Sequence, residues 1–191
     1  MIVSFLILLG FQDTVKNKLY SFSGHMQITR YTLSNSIDEL PVSNENRFYL
    51  GYDSLDGIRH VQQYAYKAGL IRTDEEILGV VLKGIDTDFD KEQFMPNLLE
   101  GEFVHVDTSR SYAKEVMISK VIANKLKLNV GDDIIVHFFQ NPPRARKLNV
   151  VGIYETNLSE YFDEKMIIKK TQNVNVVNSS PGRGKIAKKF C

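Results

Sequence analysis

Tryptophan is absent from the 191 residues, and the one cysteine, Cys191, is the last of them. An intramolecular disulfide and a cysteine-based zinc site are thereby excluded. The lack of disulfides leaves the compartment open, because many proteins outside the bacterial cytoplasm also have none. No sign of charge dominates either: 24 basic side chains face 23 acidic ones, a net of +1. A strongly basic nucleic-acid binder is therefore not expected, and no nucleic acid is expected as a partner. Long apolar runs are also missing. Met1–Phe11, broken only by Ser4 and Gly10, is about half the roughly 20 residues of a membrane span, and Gln12-Asp13 stops it. It does not suit a secretory signal, which wants a basic residue ahead of the apolar stretch and a small-residue cleavage site after it. The first basic residue is Lys16, and no A-x-A pattern follows.

What is present describes a folded chain. A composition of 43% hydrophobic and 25% charged residues is globular, with room for one domain or two small ones. Eleven Phe and nine Tyr supply the large core side chains. The N-terminal run has two readings, a buried strand or short helix, or the outer half of a transmembrane helix whose first half lies outside this chain. Val15, Leu19 and Phe22 extend its apolar stripe while Lys16 and Lys18 stay polar, which favours the second. Charge is unevenly spread. Residues 169–191 hold six basic side chains and no acid, leaving 18 basic and 23 acidic in 1–168, a net of −5.

Beyond Gly24, alternation predicts a strand with Met26 and Ile28 on one face. Residues 32–48 read as a loop. Asp53-Ser54 as N-cap, followed by Leu55, Ile58, Val61, Ala65 and Ala68, predicts an amphipathic helix closed by Gly69. Strands are expected at Leu70–Thr73 and Ile77–Ile85, a short helix at Lys91–Leu99, and a brief strand at Val116–Ile118. That strand feeds a helix capped by Ser119. Asn129–Asp132 is a turn into Ile134–Phe139, and Lys147–Tyr154 returns. Leu82 and Ile135 are placed in central strands. The expected fold class is α+β with a mixed sheet.

Most chemistry fails on inspection. None of His25, His60, His105 and His137 has a histidine partner at i+4. His105 and Asp107 are read as surface polar residues on a strand edge. Gly182-Arg183-Gly184-Lys185 misses the phosphate loop, with Ser179 where the first glycine belongs and Ile186 where Ser or Thr should follow the lysine. Asp86, Asp88 and Asp90 alternate like the start of a calcium loop, but Lys91 and Asn97 occupy the positions that need Gly and Glu. That segment reads as a solvated acidic turn. No catalytic residue, cofactor site or metal site is expected, nor ATPase or hydrolase activity.

Four stretches together resemble one family: KLYSFSGHMQI at 18–28, EILGVVLKGID at 76–86, KLKLNVGDDIIVHF at 125–138 and KLNVVGIYET at 147–156. In order and spacing they are similar to the extracytoplasmic core domain of MacB-like ABC-transporter permeases, in the lipoprotein-releasing branch. Gly10-Phe11, Gly24-His25, Gly79-Val80 with Lys83–Asp86, and Leu128–Asp132 carry the match. Glycine at 24 and 131 suits turn positions, and Gly79 and Gly84 suit a bulge or close approach. The resemblance implies a mixed-sheet porter-like lobe over about 25–100 and a smaller β-rich lobe over 101–168. Residues 1–24 would be a partial transmembrane helix and linker, and 169–191 a disordered basic tail. Such permeases have four transmembrane helices, so the chain resembles one truncated at both ends by a shifted frame, a shortened gene or an added tail.

It further implies a noncatalytic module on the periplasmic side of the bacterial inner membrane. There it would transmit the cycle of a cytoplasmic ABC ATPase subunit, and the segments that contact that subunit are missing from this chain. The other partners implied are a partner permease subunit, lipoprotein cargo or its periplasmic carrier, and the membrane. The alternative is a membrane-anchored α+β binding domain without a transport role. Pro142, Pro143, Arg144 and Arg146, in a stiff basic loop at 140–146 between two apolar strands, are read either as an ordinary Pro-rich turn with solvated arginines or as a contact patch for a partner. In the family, one permease of a pair carries a longer hairpin here that grips the carrier.

Overall fold

The first helix, α1 (Ile2–Ser23), ends where Gly24 takes a left-handed φ of 74° and its N–H bonds the Tyr20 carbonyl at 2.9 Å. A side chain at that φ is disfavoured, so glycine is the natural stop. The computed structural model describes residues 2–29, 51, 57–73, 76–106, 114–139, 142–156, 165–169 and 185–190. The 32–48 loop expectation lies outside them. No described helix is long and apolar enough to cross a membrane.

Nine strands follow among the described residues: β1 (Met26–Ile28), β2 (Ile58–Arg72), β3 (Ile77–Ile85), β4 (Leu98–Gly101), β5 (Glu115–Ser119), β6 (Asp133–Phe138), β7 (Arg144–Tyr154), β8 (Lys165–Lys169) and β9 (Lys185–Phe190). Two short helices, α2 (Lys91–Phe94) and α3 (Lys120–Leu126), interrupt them, and a single 3-10 turn, Met95–Asn97, continues α2. The strand order is β1-β9-β2-β3-β8-β5-β7-β4, with β6 paired to both β2 and β7. Because β6 touches both, the ladder β2–β3–β8–β5–β7–β6 returns to its start. Only β3–β8 and β5–β7 run parallel, so the sheet is mixed and the α+β class holds. Strands from both expected lobes enter this one sheet, with β8 lying between β3 and β5.

Three expectations are corrected. The helix expected over 55–69 is instead β2, whose nine residues 64–72 pair antiparallel with β3. Its tyrosines and β-branched residues suit a strand, and pairing along that length outweighs the helical spacing of Val61, Ala65 and Ala68. Gly69 is no helix cap. A Cβ there would lie 2.9 Å from Val136 Cγ1, so the glycine admits β6 across β2. Residues Lys185–Phe190 of the expected mobile tail form β9, antiparallel to both β1 and β2. Pairing of β2 with β3 passes Gly79 and Gly84 without a bulge, so neither glycine marks one.

Two apolar clusters flank the sheet. One holds Leu82, Val116, Ile118, Val136, Val150 and Met166 with Ile122 and Leu126 of α3. Helix α3 starts as its sequence indicates, with the Ser119 hydroxyl accepting from the Ile122 N–H at 3.2 Å. The other cluster uses the alternate strand residues, Ile85, Met117, Tyr154 and Ile167, together with Phe22, Phe89, Phe94 and Phe103. Phe22 brings the end of α1 into the folded body.

Candidate functional site

Two places merit description, the junction where α1 meets the sheet and the β6–β7 hairpin. Helix α1 is divided along its length. Val3, Phe5, Leu6, Ile7, Leu8, Leu9 and Phe11 are exposed, whereas Ser21 and Phe22 are buried and Leu19 packs on the aromatic cluster. The Phe22 ring lies 6.1 Å from that of Tyr154 and 6.3 Å from that of Phe94, and Phe94 meets Phe103 edge-on at 6.0 Å. Such tilted pairs add to the burial of the rings themselves. A buried polar contact fixes the same turn: Asn97 Nδ2 donates to Ser21 Oγ at 2.9 Å, and Ser21 Oγ donates to the Lys18 carbonyl at 2.7 Å. Asn97 is held in place in turn, its carbonyl accepting from the Glu155 N–H.

Lys83 is the unusual member of the junction. It sits on β3, 1% exposed, and its Nζ donates to the Phe22 carbonyl. The same nitrogen lies 4.3 Å from the Phe22 ring centroid, 5.5 Å from Phe89 and 5.9 Å from Tyr64. Burial, helped by the neighbouring Lys165 charge, pushes Lys83 down to about 7. Lys165 on β8 is half-buried, 5.5 Å from the Phe22 ring and 5.6 Å from Tyr66, and burial lowers it too. In the sequence Lys83 stands out only as part of the stretch Lys83–Asp86. The available signal was one charge inside the otherwise apolar strand Ile77–Ile85.

At the hairpin, β7 begins at Arg144, so Arg144 and Arg146 belong to a strand and not to the expected loop; they lie opposite Phe138 and Val136. Pro142, Pro143 and Arg144 are exposed and Arg146 is half-buried. Gln140 and Asn141 lie outside the described residues. The hairpin's base is tied by Lys147 Nζ to Asp133 Oδ2 at 2.8 Å and by Asn149 Nδ2 to Asp133 Oδ1 at 3.2 Å. The Lys147 and Asn149 bonds hold the Asp133 carboxyl below its usual range.

The remaining sequence candidates have structural roles. Asp90 caps α2, its Oδ1 accepting from the Gln93 N–H, while Asp88 Oδ2 accepts from the Gln63 N–H at 2.7 Å. Asp88 and Asp90 therefore do more than line a solvated turn. His105 Nδ1 meets Glu115 Oε2 at 3.0 Å on the surface, and Asp107 lies outside the described residues. Of the phosphate-loop look-alike, Lys185 starts β9 and Gly182–Gly184 are not described. No cluster of three potential metal ligands occurs among the described residues.

A family model described as the MacB-like periplasmic core domain matches residues 1–183. The chain is 26% identical over 186 residues to the lipoprotein-releasing system transmembrane protein LolC of Buchnera aphidicola subsp. Schizaphis graminum. That match takes in 93% of this chain and 43% of that protein, so the chain spans less than half of the relative's length. The periplasmic region of MacB from Actinobacillus actinomycetemcomitans superposes with a TM-score of 0.55 at 16% identity, over 88% of this chain and 76% of that one. The extracellular domain of the noncanonic ABC-type transporter YknZ from Gram-positive bacteria gives 0.51 at 18% identity, over 78% and 73%. At these identities the likeness is one of fold.

Proposed function

The chain belongs to the MacB-like periplasmic core domain family, and from that premise we propose that it is the noncatalytic extracytoplasmic module of a lipoprotein-releasing ABC permease. In this reading α1 is the outer part of a membrane helix, on the periplasmic face of the inner membrane. The module passes movement driven by a cytoplasmic ATPase subunit, through a paired permease, to lipoprotein cargo or its carrier. One observation carries it: α1 is apolar and exposed at its start yet embedded in the sheet's aromatic cluster at its end. A helix built so can anchor in lipid and move the sheet as one piece. The similarity to LolC supports the lipoprotein branch. The exposed Pro142, Pro143 and Arg144 with Arg146 offer a stiff basic tip for a carrier or the neighbouring permease.

The test uses the full-length permease that contains this domain, reconstituted with its ATPase in proteoliposomes. ATP-dependent transfer of labelled lipoprotein to a soluble carrier is expected, and the R144S/R146S pair should lower it about tenfold, a loss of ~1.4 kcal/mol of binding. Lack of any ATP-dependent transfer would leave an anchored binding domain without a transport role. Normal transfer by the double variant would remove the hairpin from the reading.

A further inference from the structure

Packing alone does not require a lysine at the junction. An apolar side chain of similar length would fill the place of Lys83 without the penalty of burying an ammonium. What the ammonium adds is direction. Its partner, the Phe22 carbonyl, is among the last four of α1, which have no acceptor role left inside the helix. Those carbonyls form the negative end of the helix dipole, and Lys83 Nζ donates to one of them. Among the described residues, the Phe22 carbonyl is the only hydrogen-bond acceptor Lys83 meets, so its contact defines one geometry. The chain beyond is a natural pivot: Gly24 at a φ of 74°, then β1 with only three residues.

We propose that Lys83 is a positioning residue that sets the exit direction of α1 against β3, so that displacement of the helix reaches the sheet instead of being absorbed at Gly24. This rests on the transport reading above and names the joint it needs. Ser21–Asn97 supplies a second point on the same turn, and two points together oppose rotation as well as sliding. Lys165 on β8 lies 5.5 Å from the same ring and links it to the strand beside β3.

The experiment uses the full chain in detergent micelles, with Cys191→Ser and spin labels at Asn17→Cys on α1 and Asn124→Cys on α3. Pulsed electron–electron resonance should give one narrow distance distribution for the parent lysine. In K83M it should broaden at least twofold while the melting temperature stays equal or rises, a combination that simple loss of stability does not produce. K83Q, which keeps a neutral donor, should fall between the two and decides the matter if K83M does not fold. A folded variant of either kind with the parental width overturns the proposal. The measurement needs no ATPase, partner or cargo, so a negative result would fall on the joint alone, whereas failure of the transport reading appears in the parent's release assay.

Discussion

Lys83 lies between Leu82 and Gly84 on a strand whose neighbours are apolar, and it is as deeply buried as they are. Its ordinary value of 10.5 is lowered to about 7, so between these limits the unfolded chain holds a proton that the folded chain has released. Stability therefore rises with pH across that window and is flat with respect to this group below it. Between pH 7 and 9.5 the gain is about 3 kcal/mol. Lys165 contributes with the same sign and is present in both proteins, so the difference between parent and K83M reports Lys83 together with its coupling to Lys165. Urea unfolding at pH 6.5, 8 and 9.5 should show K83M more stable by about 1–4 kcal/mol at the lowest pH. The advantage should shrink as pH rises. A constant difference would mean that Lys83 is charged alike in both states.

Strands are where the sequence misleads, and parity explains how. In β6 the run Ile134-Ile135-Val136 is apolar throughout, so its spelling does not reveal which face is inward. The fold buries Ile134, Val136 and Phe138 and leaves Ile135 47% exposed, so its place in a central strand does not bury it; Leu82 on β3 is fully buried. Leu82→Asp should then unfold the chain, because an unpaired carboxylate would enter the core. Ile135→Asp should change stability by no more than about 1 kcal/mol. Thermal circular dichroism on both variants checks the register, and equal losses would refute it. Over residues 65–71 of β2 the buried positions are Ala65, Lys67, Gly69 and Ile71, so a charge and a glycine hide the alternation, while three chance spacings imitate a helix. By contrast β5 and α3 were legible, since Ser119 and its target N–H are three residues apart. The α1 stop at Gly24 and the left-handed turn at Gly131 were legible for the same local reason. The junction was not: Phe22, Lys83, Asn97 and Tyr154 are brought together only by the sheet's order.

At the scale of the whole molecule, α1 is exposed at its start and packed on the sheet at its end, and these halves should be separable. Residues 3–11 expose seven large apolar side chains, with no bond to the sheet among the described contacts, while the fold's grip begins at Leu19 and Phe22. The exposed part is about 15 Å long at the helical rise, half the roughly 30 Å of a bilayer's hydrocarbon core. It can enter one leaflet, or continue a longer helix, without drawing the sheet after it. Each large apolar side chain moved from water contributes about 1.5–3 kcal/mol, so even partial insertion of seven outweighs the entropy of attachment. The chain should therefore float with liposomes in a density gradient. Deleting residues 2–11 should leave it in the aqueous fraction with its melting temperature within about 2 °C, because no core residue is removed. Deleting 2–22 instead takes Phe22 from among Phe94, Tyr154 and Lys83, and should lower the melting temperature by more than about 10 °C or prevent folding. If the shorter deletion destabilised the sheet as much as the longer one, the apolar half would be packed on protein, and the division of α1 into an anchor and a joint would fail.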